Sequence, residues 1–72
     1  MNFGKVFRTA REERGETQRA FASKLGLTPT SLWKIEYGRV KPNQNTISRF
    51  HKETGIPIAK IYIDAIEPQD YE

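Results

Sequence analysis

Apolar residues recur along the chain at helical intervals, in five blocks separated by glycine and proline. In the first block Phe3, Val6, Phe7 and Ala10 fall at i, i+3, i+4 and i+7, the stripe that an amphipathic helix turns toward a core. Gly15 after Arg14 predicts its end, because glycine takes the left-handed backbone conformation without steric cost. Thr17 is a candidate cap for the second block, where Phe21 and Leu25 lie one turn apart beside Ala22 and Gly26 follows. Thr28 caps a third, with Pro29 at its first helical position, Leu32 and Ile35 facing inward, and Gly38 closing it. Asn43 opens the fourth, with Ile47 and Phe50 inward and Gly55 at its end. The fifth starts near Pro57 and carries Ile58, Ile61, Tyr62, Ala65 and Ile66 at helical spacing. No segment sustains strand alternation. The pattern predicts a compact, all-α domain of five helices over residues 1–66, followed by a short tail, 67–72, expected to be disordered.

Length and composition narrow what such a domain can do. At 72 residues without cysteine, neither a large core nor a disulfide framework is available, and a substrate pocket would compete with the core for the same apolar side chains. One histidine fits neither a Ser-His-Asp triad nor a multi-histidine metal site, so no enzyme activity, metal or cofactor is expected. The net charge of +3 is unevenly placed: residues 1–63 hold all 12 basic side chains against five acids, and residues 64–72 hold four acids and no base. Between Thr17 and Lys52 there are seven bases and a single acid, Glu36. A basic body with an acidic tail points to a polyanionic partner. The charged N-terminus shows no signal peptide, and Ile56–Ile66 is too short and too interrupted to span a bilayer, so a cytoplasmic location without membrane contact is expected.

The second and third blocks are separated by Gly26 and Leu27 alone, so two short helices must cross steeply, as in a helix-turn-helix. Ala22 belongs at the crossing, Leu27 beneath the turn, and Leu32 and Ile35 against the core. Pro29, Thr30, Ser31, Trp33, Lys34 and Tyr37 are left on the outer side, where hydroxyls and lysine can meet base edges in a major groove. The pattern Gln18, Phe21-Ala22, Leu25-Gly26-Leu27, Ser31-Leu32, Ile35-Glu36, Gly38-Arg39 and Pro42 resembles the Xre-type, lambda-repressor-like helix-turn-helix family. The resemblance extends over residues 3–66.

That resemblance implies a sequence-specific regulator of transcription, reading double-stranded DNA with the third helix, and most simply a repressor. It implies base contacts from Thr30 and Lys34, with Pro29 and Ser31 beside them. Gln18 matches a phosphate-clamping position at the start of the second helix, consistent with the affinity of helix N-termini for anions. Thr17, Arg19, Thr28 and Asn43 at the helix starts, with Tyr37, Arg39 and Lys41 beyond the third helix, are expected on phosphates. Glu36 and Arg11 match a structural ion pair. Tyr62, Ile63 and Ile66 match a region through which family members dimerise on palindromic operators, although the same residues can instead close the monomer core against Phe3 and Phe7.

The sequence also departs from that family. Glu16 and Gln44 stand at usually apolar positions, Thr54 replaces a core leucine, and Pro57 replaces a Ser or Thr cap, which leaves the packing of the last two helices open. Pro29 either touches a thymine methyl or serves only as a favoured first helical residue. Trp33 either reaches sugar or a thymine methyl at the groove wall, or packs as peripheral core against the second or fourth helix. His51 reads as a partly buried structural histidine rather than a pH switch. The alternative function is an antitoxin-like or co-regulator module that binds another protein through the last helix and the acidic tail.

Overall fold

The computed structural model describes residues 2–66, which form five helices: α1 (Phe3–Glu13), α2 (Gln18–Lys24), α3 (Pro29–Glu36), α4 (Gln44–Thr54) and α5 (Ile58–Ala65). The acidic segment 67–72 lies outside the described residues. Each of the first four helices starts on a side chain that accepts from the backbone three residues on: Asn2 from Lys5, Thr17 from Ala20, Thr28 from Ser31 and Asn43 from Thr46. Pro57 heads α5 without such a bond, as its ring dictates.

Helices α1, α2 and α3 end on the same hydrogen-bonded turn. At the end of α2 the Gly26 N–H reaches the Ser23 carbonyl at 3.1 Å and the Leu27 N–H reaches Ala22 at 2.8 Å. This paired closure needs a left-handed residue at its centre, and Gly26 supplies it with φ of 73°. The chain therefore reverses within Gly26 and Leu27 and enters α3 directly.

The core is built from Phe3, Phe7 and Ala10 of α1, Phe21, Ala22 and Leu25 around α2, Leu32 and Ile35 of α3, Ile47 and Phe50 of α4, and Ile61 and Ala65 of α5, all buried. Phe50 stacks on Phe7 with ring centroids 4.1 Å apart and meets the edge of Phe21 at 6.0 Å. Leu27 and Ile56 close the rim. The last helix packs despite its unusual cap: Ile61 and Ala65 are fully buried, and the Asn2 N–H donates to the Ala65 carbonyl at 2.6 Å. Thr54 takes the place of an apolar plug by satisfying its hydroxyl locally, donating to the Phe50 carbonyl at 2.7 Å and accepting from the Ile56 N–H at 3.2 Å.

Gly4 fixes how closely α1 and α3 approach. A Cβ there would stand 2.4 Å from the Glu36 carbonyl oxygen and 2.7 Å from that of Ile35, both rigid backbone atoms. Gly4→Ala is therefore expected to destabilise the domain by about 1–3 kcal/mol, the cost of overpacking, although alanine is the better helix former. The midpoint of urea unfolding measures it; an unchanged or raised midpoint would mean that the two helices separate without cost.

Candidate nucleic-acid interface

The two helices of the turn divide their faces cleanly. Ala22 and Leu32 are fully buried and Ile35 nearly so, which commits one side of α2 and α3 to the core. On the other side of α3, Pro29, Thr30, Trp33, Lys34 and Tyr37 are exposed and Ser31 is half-buried. Thr30, Lys34 and Tyr37 lie at i, i+4 and i+7 of one helix, so they share a face. Of the base-reading candidates Thr30 and Lys34 share that face, with the phosphate candidate Tyr37 beyond them, while Pro29 and the half-buried Ser31 flank it.

The hydroxyls of that face are partly engaged. Thr28 Oγ1 accepts from the Ser31 N–H at 3.1 Å and donates to Ser31 Oγ at 3.0 Å. The Thr28 hydroxyl hydrogen is spent within the cap, while Ser31 keeps its own hydrogen for an outside acceptor. Thr17 Oγ1 accepts from the Ala20 N–H at 3.1 Å, and Asn43 Oδ1 from the Thr46 N–H at 2.8 Å, so both retain donors of their own. Arg19, Tyr37, Arg39 and Lys41 are exposed. These donors and cations sit at the starts of α2 and α4 and just beyond α3.

Glu36 organises the interior side of this surface. Its side chain is wholly buried, yet Arg11 Nε donates to Oε2 at 2.8 Å and Arg11 Nη2 to Oε1 at 3.1 Å, a two-point guanidinium–carboxylate pair. The hydrogen bond to Glu36 holds the Arg11 guanidinium further above its already high range, with burial opposing. The third guanidinium nitrogen reaches the Glu16 carbonyl at 3.1 Å, and Arg8 donates to the Glu36 backbone carbonyl at 3.3 Å. Gln18 completes the set: its Nε2 donates to Glu36 Oε1 at 3.0 Å. One amide hydrogen of this phosphate-contact candidate is therefore held by Glu36, and the second remains to donate. The contact between Gln18 and Glu36 was not legible from spacing, since it joins residues 18 positions apart.

Glu16, where the resemblance implies an apolar residue, is instead held by charge. It pairs with Lys24 and with Arg14, and hydrogen bonds from Lys24 first and Arg14 second hold its carboxyl below the usual carboxylate range. Arg14 also reaches α4, donating to the Glu53 carboxylate at 2.6 Å and to its backbone carbonyl at 3.1 Å. His51 is half-buried and its Nδ1–H donates to the Ile56 carbonyl at 2.8 Å, a role in closing the α4–α5 turn.

Trp33 stands at the rim of the exposed face. It is 37% exposed, tilts against Tyr37 with ring centroids 5.0 Å apart, and carries the Arg39 guanidinium 5.4 Å from its ring centre. Sequence reasoning set Trp33 between two roles and did not join it to Arg39; the four-residue step from Trp33 to Tyr37 was the available signal. The three α5 residues separate. Tyr62 is half-buried with its ring edge-on to Phe3 at 5.4 Å, whereas Ile63 and Ile66 are 66% and 60% exposed. No helix of the described residues is long and apolar enough to cross a membrane.

Two short helices joined by a tight glycine turn, with a cationic outer face and an inner face given over to the core, are the architecture of a helix-turn-helix protein. The chain matches the helix-turn-helix family model over residues 7–61 and belongs to that family. It is similar to multiprotein-bridging factor 1 of Debaryomyces hansenii, with 33% identity over 58 residues, 81% of this chain. The chain spans 39% of that relative's length. Its fold is shared with the clp gene regulator ClgR from C. glutamicum, at a TM-score of 0.82 and 22% identity, over 99% of this chain and 92% of that one.

Proposed function

We propose that this protein is a DNA-binding regulator of transcription that recognises a specific double-stranded sequence by inserting α3 into the major groove, most simply as a repressor. The carrying observation is the exposed face of α3: Thr30 and Lys34 point outward while Leu32 and Ile35 of the same helix are buried. Thr30, Lys34, Ser31 and Pro29 meet base edges in this reading. Thr17, Gln18, Arg19, Asn43, Tyr37, Arg39 and Lys41 set the register on phosphates, with Thr28 contributing through its backbone. The exposed Ile63 and Ile66, beside an open groove of about 790 Å³ between α1 and α5, support pairing of two copies on a palindromic operator. A co-regulator role draws support from the bridging relative, but the concentration of cations around α3 favours DNA.

Selection from a random duplex library tests this reading and returns the operator. Log affinity for the selected site is expected to fall with log salt by about 0.9 per neutralised phosphate. Thr30→Ala changes the preferred base at one position of each half-site. Gln18→Ala weakens all sequences alike and leaves the salt slope near the wild-type value, because a neutral amide releases no counterion. A library from which no motif emerges would end the specific-regulator reading.

A further inference from the structure

Three apolar side chains remain exposed around the end of α3: Trp33 at 37%, Tyr37 at 60% and Val40 at 46%. They do not form a loose edge. The Arg39 and Val40 N–H groups both reach the Lys34 carbonyl, at 2.8 and 3.3 Å, so the backbone carrying Arg39 and Val40 is tied to the helix. From that backbone the Arg39 guanidinium lies 5.4 Å from the centre of the indole, and the indole tilts against the phenol ring. Trp33 also continues the stripe of Thr30 and Lys34, at i, i+3 and i+4 of α3, and Tyr37 at the cap extends it by one more step.

We propose that Trp33 is a specificity-determining contact to DNA, pressing the edge of its indole on a thymine methyl and the neighbouring deoxyribose, with Arg39 held on its face for the adjoining phosphate. The proposal rests on the reading of α3 as the recognition helix. Its chemistry is complementary at both scales. A thymine methyl is the apolar feature of the major groove, and an exposed aromatic edge next to a base-reading lysine can cover it. The phosphates flanking that thymine meet Arg39 and Lys41, which follow the aromatic pair along the chain. A second copy of the same patch would set those cations against one another. Arg39 gains from the arrangement, because a guanidinium stacked on an aromatic face keeps its donors at the ring edge, free for an anion.

The test uses the full chain and its selected operator, with each thymine replaced in turn by deoxyuridine, which removes the methyl alone. Wild type is expected to lose about fourfold in affinity at one thymine per half-site, the value of one buried methyl. Trp33→Ala binds the unmodified operator roughly tenfold more weakly, keeps its far-UV circular dichroism, and no longer distinguishes thymine from deoxyuridine at that position. The emission of Trp33, the chain's one tryptophan, also changes on titration with operator. Identical deoxyuridine profiles for wild type and Trp33→Ala, or affinities within twofold of each other, overturn the proposal. So does a Trp33→Ala variant that binds DNA normally but loses self-association in sedimentation, which would assign the patch to a second copy. Failure of both proteins to bind any duplex at low salt is a different result and removes the DNA reading itself.

Discussion

Glu36→Ala is expected to remove about 3–5 kcal/mol of folding stability, the usual cost of breaking a buried ion pair from one side. The whole domain has about 4–11 kcal/mol to lose, at the ordinary range per residue for 72 residues. The loss is large because the Arg11 side chain is only 15% exposed and would keep its charge with no carboxylate to face. Gln18 loses its anchor in the same substitution. Replacing both charges, as Arg11→Met with Glu36→Leu, is expected to return the domain to within about 2 kcal/mol of wild type, because an apolar pair carries no desolvation cost. Urea unfolding followed by far-UV circular dichroism measures both variants. A loss below about 1 kcal/mol in Glu36→Ala would place the pair in the class of solvent-screened surface bridges.

Phe50→Ala is the second large effect, also about 3–5 kcal/mol. The ring is fully buried, stacked on Phe7 and edge-on to Phe21, so through it α4 holds both α1 and α2. Truncation removes the transfer energy of the ring and leaves a cavity that two other phenylalanines cannot fill without moving. The melting temperature is expected to fall by about 15 °C or more. Phe50→Leu, which keeps most of the volume, loses clearly less. Equal losses in the two variants would show that the site collapses around any side chain. Circular dichroism suits this measurement better than fluorescence, because Trp33 lies on the surface and not in the core.

Both predictions concern the scaffold, and both bear on binding. The Glu36 cluster joins α1, the start of α2 and the end of α3, and the phenylalanine cluster joins α4 to the first two helices. Together they set the angle at which the exposed face of α3 stands from the rest of the molecule. A variant weakened in either cluster is therefore expected to lose DNA affinity as well as stability, through disorder of the reading face and not through a lost contact.

Helix positions were legible to a fine level because the signals are local. Thr17, Thr28 and Asn43 each precede a helical stripe and can satisfy a backbone N–H three residues away, and Gly15, Gly26 and Gly38 follow the stripes where a left-handed residue closes a helix. The core pairs of the turn, Leu32 and Ile35, follow from periodicity alone. The Arg11–Glu36 pair is a long-range contact and entered through family resemblance; nothing in local spacing joins residues 25 apart. The acid at Glu16 looked like a weakness of the core until its two cationic neighbours were in place.

Other features exist only once the helices are assembled. Gly4 stands in the first turn of α1, where nothing in the local sequence shows that the neighbour it admits is the backbone at the end of α3. Tyr62 and Ile63 of α5 and Ile66 at its cap fall within five residues of one another, yet the first packs on Phe3 and the other two remain exposed. Trp33 lies one residue from the inward pair, so periodicity left it between core and surface. Five helices, most of their caps and the cationic stretch around the turn follow from local order along the chain, because those depend on groups within one or two turns of each other. Which apolar residues stay outside, how close α1 comes to α3, and that Gln18 shares Glu36 with Arg11 are set only when the helices pack. Those outcomes depend on the crossing of helices, and at that range distance along the chain no longer says which groups meet.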